Sequence, residues 1–197
     1  MSVSQHLDFR RLRMIVAHPR DHDGELLIRH LQRLGCQVES VWPPGRSLDP
    51  EVDFLFCFVD PAARALLDAA TAQAGPAVIG IIDPRQAISL RLLHEATPHA
   101  VINRPFDPAT LIPNLVVARN NQRYQRRQLG KVAKLEETLR SYRKVEQAKV
   151  ILMKKRKIGE PEAYTFLREQ AMRRRVPISV IASVVVDSNE VLPGDKE

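Results

Sequence analysis

The sequence predicts an α/β fold with a doubly wound parallel sheet, followed by a long helix and a small all-α domain. Three observations carry that prediction. Up to residue 118, five apolar runs alternate with helical patterns, the signature of consecutive β-α units. From Ala109 to about Lys157 the only glycine is Gly130 and the only proline Pro113, so a helix can run almost unbroken. From Val145 to Val186, Gly159-Glu160-Pro161 and Val176-Pro177 divide a basic tract into three helical segments. At 197 residues, 44% of them hydrophobic, the chain can hold one full domain and a smaller one.

Leu12 to Ala17 is the first expected strand. Asp23 to Leu34 spaces Leu26, Leu27, Leu31 and Leu34 along one helix face, with Gly35 as its stop. Val38 to Trp42 is the second strand, ended by Pro43-Pro44, and Asp53 to Val59 is an apolar run typical of a strand covered on both faces. Pro61 to Ala74 reads as a helix, Ala77 to Ile82 as a strand, Ala87 to Ala96 as a helix and Ala100 to Ile102 as a short last strand. Asp107-Pro108 then opens another helix, with Asp as N-cap and Pro at its first position. The strand order expected for five such units is flavodoxin-like, 2-1-3-4-5.

The segment Ala100-Val-Ile-Asn-Arg-Pro-Phe-Asp107 resembles the end of a response-regulator receiver domain, with Arg104-Pro105 where a lysine-proline pair is usual. A working receiver needs carboxylates at the ends of its first and third strands to hold Mg²⁺ and accept phosphate. This sequence departs from that at each place. Ala17-His18-Pro19 stands where an acidic pair is expected, Phe58 at the phosphoacceptor, Ile82 at the hydroxyl position and Arg104 at the lysine. Asp60 lies two residues past the acceptor position and could be argued as a substitute, but the missing acidic pair disfavours it. His18 and Asp83 are expected near strand ends in structural roles. Residues 8–118 are therefore read as a pseudo-receiver that signals by docking, with no phosphoacceptor, metal, cofactor or catalytic residue.

Residues 119–147 are read as a coiled-coil dimerisation helix. Val132, Leu135, Leu139 and Tyr142 follow 3-4-3 spacing, which builds an apolar seam. The seam is short, because Gln125 and Gln128 fall in it upstream and Gly130 costs about 1 kcal/mol relative to Ala. A parallel homodimer is the preferred reading; the alternative is a helix folded back on its own pseudo-receiver.

Residues 148–192 form the expected three-helix domain. The chain's net charge of +7 is asymmetric: Arg119 to Arg175 carries a net +12 and the remainder −5. Such a basic block suggests a polyanion, although a solvated helix face remains the bland alternative. Ala163, Leu167 and Ala171 make a small-residue core stripe, and Tyr164, Arg168 and Arg175 share the next, flanked by Met172. RNA loops are read by stacking and edge hydrogen bonds, which Tyr164 and Arg168 can supply. The candidate RNA contacts are Lys149, Met153, Tyr164, Arg168, Met172, Arg174 and Arg175. Core capping is the competing role for Tyr164 and Met172. The last helix is expected to turn Ile178, Ile181, Ala182 and Val185 inward, and Val184 to Val186 suits a strand equally on propensity alone.

Ala148-Lys149, Leu152-Met153, Gly159, Glu162-Ala163-Tyr164, Leu167-Arg168, Ala171-Met172 and Ala182 together resemble the ANTAR family of RNA-binding antiterminators. Gly35-Cys36, Trp42-Pro43-Pro44, Gln147-Ala148-Lys149 and Arg168-Glu169-x-Ala171-Met172 are similar to a branch of it with a degenerate receiver and a coiled coil. The resemblance implies a homodimer that binds paired hairpin loops in messenger leaders and precludes a terminator. It also implies a negative regulator, a ligand sensor like a periplasmic binding protein that works in the cytoplasm. A DNA-binding response regulator and a protein-interaction adaptor are the alternatives. Cys36 and Cys57 form neither a zinc spacing nor a disulfide framework. No signal peptide or membrane span is evident, so a cytoplasmic location is expected.

Overall fold

The structure is a computed structural model that describes residues 9–45, 48–71 and 75–191. It divides into two units, Met1–Arg127 and Gln128–Glu197. In the first, β1 (Arg13–Ala17), β2 (Gln37–Ser40), β3 (Phe54–Phe58), β4 (Ala77–Ile82) and β5 (Ala100–Asn103) form one parallel sheet in the order β2-β1-β3-β4-β5. The flavodoxin-like prediction holds. Every residue of β3 and β4 is buried, as continuous apolar runs require when both sheet faces are covered.

Alternate strand residues feed two cores. Met14, Val16, Phe54, Phe56 and Ile79 face α1 (His22–Arg33) and the first turns of α4 (Leu111–Arg156), meeting Leu27, Leu31, Leu111 and Leu115. Ile15, Leu55, Cys57, Val78 and Ile82 face α2 (Arg64–Thr71) and α3 (Ala87–Ala96), meeting Leu66, Leu67 and Leu92. Full burial of each large side chain stabilises by about 1.5–3 kcal/mol. Burial also pushes the Cys57 thiol up to about 12 and the Cys36 thiol up to about 11, leaving both unreactive at neutral pH.

Local chemistry sets the element ends. Asp21 caps α1 by accepting from the Gly24 amide at 2.9 Å, and Gly35 takes φ +90° just past its end, where a Cβ would be strained. The helix expected from residue 61 starts as a 3-10 turn, Pro61–Ala63, which Asp60 caps at 2.8 Å from the Ala62 amide. Its expected end, residues 72–74, lies outside the described residues. Asp107 caps Pro108–Thr110, also a 3-10 turn, before α4 begins. Strand β2 ends at Ser40, short of the expected Trp42, because at the sheet edge only Arg13–Val16 pair with it.

Beyond Ala118, α4 is tied to the N-terminal edge of the sheet by polar side chains. Arg119 donates to Asp53 at 2.8 Å and stacks over Phe54. Asn121 donates to the His99 carbonyl at 2.8 Å, while Gln122 and Arg126 both donate to the Gly75 carbonyl. His99 completes the belt. Its Nδ1 accepts from the Val78 amide and its Nε2 donates to Gln125 Oε1, each at 2.9 Å. Gln125, a weak residue for an apolar seam, is thus used by the first unit.

In the second unit α5 (Glu160–Arg174) and α6 (Ile178–Val191) pack on the last turns of α4. Val184 to Val186 is helical, as the periodic reading required. Gly159, which by its sequence context is expected to end the long helix, does not end it. The helix stops at Arg156, Lys157 takes the left-handed turn at φ 54°, and Gly159 is the N-cap of α5. No described helix is long and apolar enough to cross a membrane.

Candidate nucleic-acid interface

The C-terminal edge of an open α/β sheet is where such folds place their chemistry. Here that crevice is filled. Phe58 is buried, with the His18 ring edge-on at 5.2 Å and Trp42 at 6.5 Å. The Arg104 guanidinium lies 5.2 Å over the Phe58 ring and is clamped by Asp21 at 2.7 Å and Asp23 at 3.0 Å. An apolar plug closed by an internally neutralised arginine offers no free carboxylate to a metal and no free cation to a phosphoryl group. Asp60 and Asp83 are committed to capping turns, accepting from the Ala62 and Arg85 amides.

His18 is nearly inaccessible, and burial holds its pKa below the ordinary 6.5. Its Nδ1 donates to the Pro19 carbonyl at 2.8 Å, while Nε2 is buried without a hydrogen-bond partner among the described residues. Gly24 makes this packing possible, since a Cβ there would stand 2.7 Å from both His18 Nδ1 and the Pro19 carbonyl. Gly24→Ala is expected to cost about 1–3 kcal/mol by overpacking, despite alanine's better helix propensity. A urea midpoint that falls at constant slope would report it; an unchanged midpoint would mean the plug yields freely.

The second unit builds its surface on a core of small residues. Ala148 and Leu152 of α4, Ala163, Leu167 and Ala171 of α5, and Ile181 and Ala182 of α6 are buried together. One residue further along α5, Tyr164, Arg168 and Met172 recur at four-residue intervals and all face solvent. Arg174 ends α5 exposed, and Arg175 caps it in the left-handed conformation at φ 54°. Arg175 thus leaves the helix and does not continue the stripe expected with Tyr164 and Arg168. None of the Arg168, Arg174 and Arg175 guanidinium groups has an ion-pair partner among the described residues.

Two candidates from the sequence sit elsewhere. Lys149 is only 8% exposed, and its ammonium lies 2.8 Å from Glu146 and 2.6 Å from Glu160. Those carboxylates raise its pKa and occupy two of its three donors. It fastens α4 to the first turn of α5 and presents no open contact to RNA. Met153 is half-buried against the same small core. No periodicity pairs Lys149 with Glu160 across a turn, so only the tertiary fold reveals this role. Arg156 similarly stacks on Phe166 at 4.0 Å.

Val132, Leu135, Leu139 and Tyr142 are 51%, 63%, 57% and 64% exposed in the single chain. They form an exposed, largely apolar row along α4.

Residues 12–119 match the family model described as AmiR, N-terminal, and residues 133–186 match the ANTAR domain. The chain is 32% identical over 178 residues to the aliphatic amidase regulator of Pseudomonas aeruginosa, spanning 88% of this chain and 90% of that protein. It is 33% identical over 94 residues to the transcriptional regulatory protein PdtaR of Mycobacterium tuberculosis, spanning 48% of this chain and 46% of that one. A response regulator receiver protein from Burkholderia phymatum superposes with a TM-score of 0.46 at 16% identity, over 56% of this chain and 96% of that one. With more than half of the chain matched by one family model and nearly all of it aligned to a full-length relative, the chain belongs to the ANTAR family of antitermination regulators, in the branch with an AmiR-type N-terminal domain.

Proposed function

We propose that this antitermination regulator acts by binding hairpin-loop RNA in an mRNA leader, and that a docked ligand-sensing protein silences it in place of phosphorylation. In this reading residues 8–118 are the docking domain, 119–147 the dimerisation helix and 148–192 the RNA-binding domain. The observation that carries it is the α5 face, where exposed Tyr164, Arg168 and Met172 run toward Arg174 and Arg175. An aromatic ring, a polarizable thioether and three unpaired guanidinium groups suit splayed loop bases and their phosphates. Lys149 holds this face in place through Glu160.

Two further features support the reading. The Phe58 plug leaves surface docking as the route for a signal, and a sensor like a periplasmic binding protein is the partner implied. The exposed seam at Val132, Leu135, Leu139 and Tyr142 suits a parallel homodimer. The DNA-reading alternative is disfavoured by α6, which carries no Lys or Arg with which to read a groove.

The test is binding to a two-hairpin leader RNA and to a length-matched DNA duplex across a salt series. RNA binding that is lost on changing loop bases supports the reading; equal, steeply salt-dependent binding to both removes it. Arg168→Ala is expected to weaken RNA binding roughly tenfold or more, since charge-assisted hydrogen bonds contribute about 1.5–3 kcal/mol. Unchanged affinity with unchanged melting would discard Arg168 as a contact.

A further inference from the structure

We infer that the groove between α4 and the start of α6 is a second anchoring site, which takes one phosphodiester of the bound RNA and reads no base. This rests on the RNA-binding reading above. The groove encloses about 280 Å³ and is lined by Glu137, Arg140, Ser141 and Lys144 of α4 with Ser179 and Ser183 of α6. Two cations and three hydroxyls converge on it. Lys144 Nζ donates to Ser183 Oγ at 2.9 Å, and Ser183 Oγ donates in turn to the Ser179 carbonyl at 2.9 Å. That chain fixes the ammonium at the groove mouth with two N–H donors unspent. Arg140 is exposed, with all its guanidinium donors unspent: among the described residues it has no hydrogen-bond or ion-pair partner. Among the described residues neither cation lies within ion-pair distance of a carboxylate, Glu137 of the lining included. Their neighbours are hydroxyls: those of Ser141 and Ser179 can donate to phosphate oxygens as carboxylates cannot, while Ser183 spends its proton on the Ser179 carbonyl.

The register keeps the groove open. If Val132, Leu135, Leu139 and Tyr142 occupy the a and d positions of a seam, then Glu137, Arg140, Ser141 and Lys144 fall at f, b, c and f. Those positions face away from a coiled-coil partner, so dimerisation leaves the site accessible. The site is also distinct from the α5 face, because none of its residues belongs to α5. Phosphate contacts fix orientation without reading sequence, so this groove would set how the RNA lies while α5 reads the loops.

The experiment uses the full chain with the two-hairpin RNA and with the same RNA carrying scrambled loop bases, each over a salt series. Arg140→Ala and Lys144→Ala are expected to weaken both RNAs by the same factor, about threefold to tenfold, and to lower the salt slope by about 1. Glu137→Gln is expected to tighten both. Lys144→Ala also removes the contact to Ser183, so its melting is measured alongside. Arg140→Ala breaks no hydrogen bond or ion pair among the described residues and keeps the test clean. Loop discrimination by the parent protein with an unchanged salt slope in Arg140→Ala overturns the phosphate site alone. Equal binding of both RNAs by the parent removes the loop-reading function, while a lowered slope in the variants still upholds the site. No binding of either RNA by the parent, or a loss confined to one RNA in the variants, overturns the proposal.

Discussion

Leu167→Ala is expected to unfold the C-terminal unit while leaving the sheet domain intact. Leu167 is fully buried, and four of its six buried partners are alanines, Ala148, Ala163, Ala171 and Ala182. Large-to-small substitutions in a core cost about 2–5 kcal/mol, and more where the surroundings cannot collapse into the cavity. Alanine neighbours cannot reach into the space left behind. A three-helix unit of this size has little stability to spare. Amide exchange is expected to lose protection throughout α5 and α6 while β3 and β4 keep theirs, and RNA binding is expected to vanish with it. A uniform loss of protection across both units would show that they fold as one. A loss of stability well under 1 kcal/mol would show that α5 is not held by this core.

The sheet domain is expected to lose stability in mild acid, starting below about pH 6.5, through His18 and His99. Burial lowers the pKa of both from the ordinary 6.5. A base with a depressed folded pKa stays neutral in the fold but takes a proton in the unfolded chain. Its contribution is therefore fully present above pH 6.5 and is lost as pH falls from there through the folded value. The structural reason differs between the two. At His99 both ring nitrogens are in use, and protonating Nδ1 would break its bond from the Val78 amide. At His18 a proton on Nε2 would place a charge in the plug beside Phe58 and near Arg104. Carboxylates with ordinary values near 4 titrate below this window, so the upper part of the curve reports the histidines. Urea midpoints from pH 7.5 to about 5 are expected to fall, and His18→Asn with His99→Gln to flatten the curve. A flat curve in the parent protein would mean that both rings are wet in solution.

The two experiments probe different kinds of information. Strands β3 and β4 were legible because a parallel strand covered on both faces must be apolar throughout, and that requirement is written in consecutive residues. The same holds for the helix stop at Gly35, for Pro161 in the first turn of α5 and for the small-residue stripe at Ala163, Leu167 and Ala171. Phe58 at the acceptor position was legible as a missing carboxylate. That it is packed by His18 and Trp42 under a clamped Arg104 was not, since these side chains come from four different segments. The switch of Gly159 from helix end to N-cap depended on Lys157 taking the left-handed turn, a conformation with only a weak local signature outside glycine.

The sequence by itself determined the strand and helix order, the absence of receiver carboxylates and the family, because each depends on spacing along one chain. Only the tertiary structure decided which cations are free. Lys149 and Arg168 are both basic residues in the same tract, yet Lys149 is neutralised by Glu160 from the next helix and Arg168 faces solvent unpaired. Likewise Arg104 is spent on Asp21 and Asp23, whereas Arg140 stands beside serines. Whether a charge can reach a ligand depends on what lies within a few ångströms of it, and those neighbours are set by packing between elements, where distance along the chain carries no information.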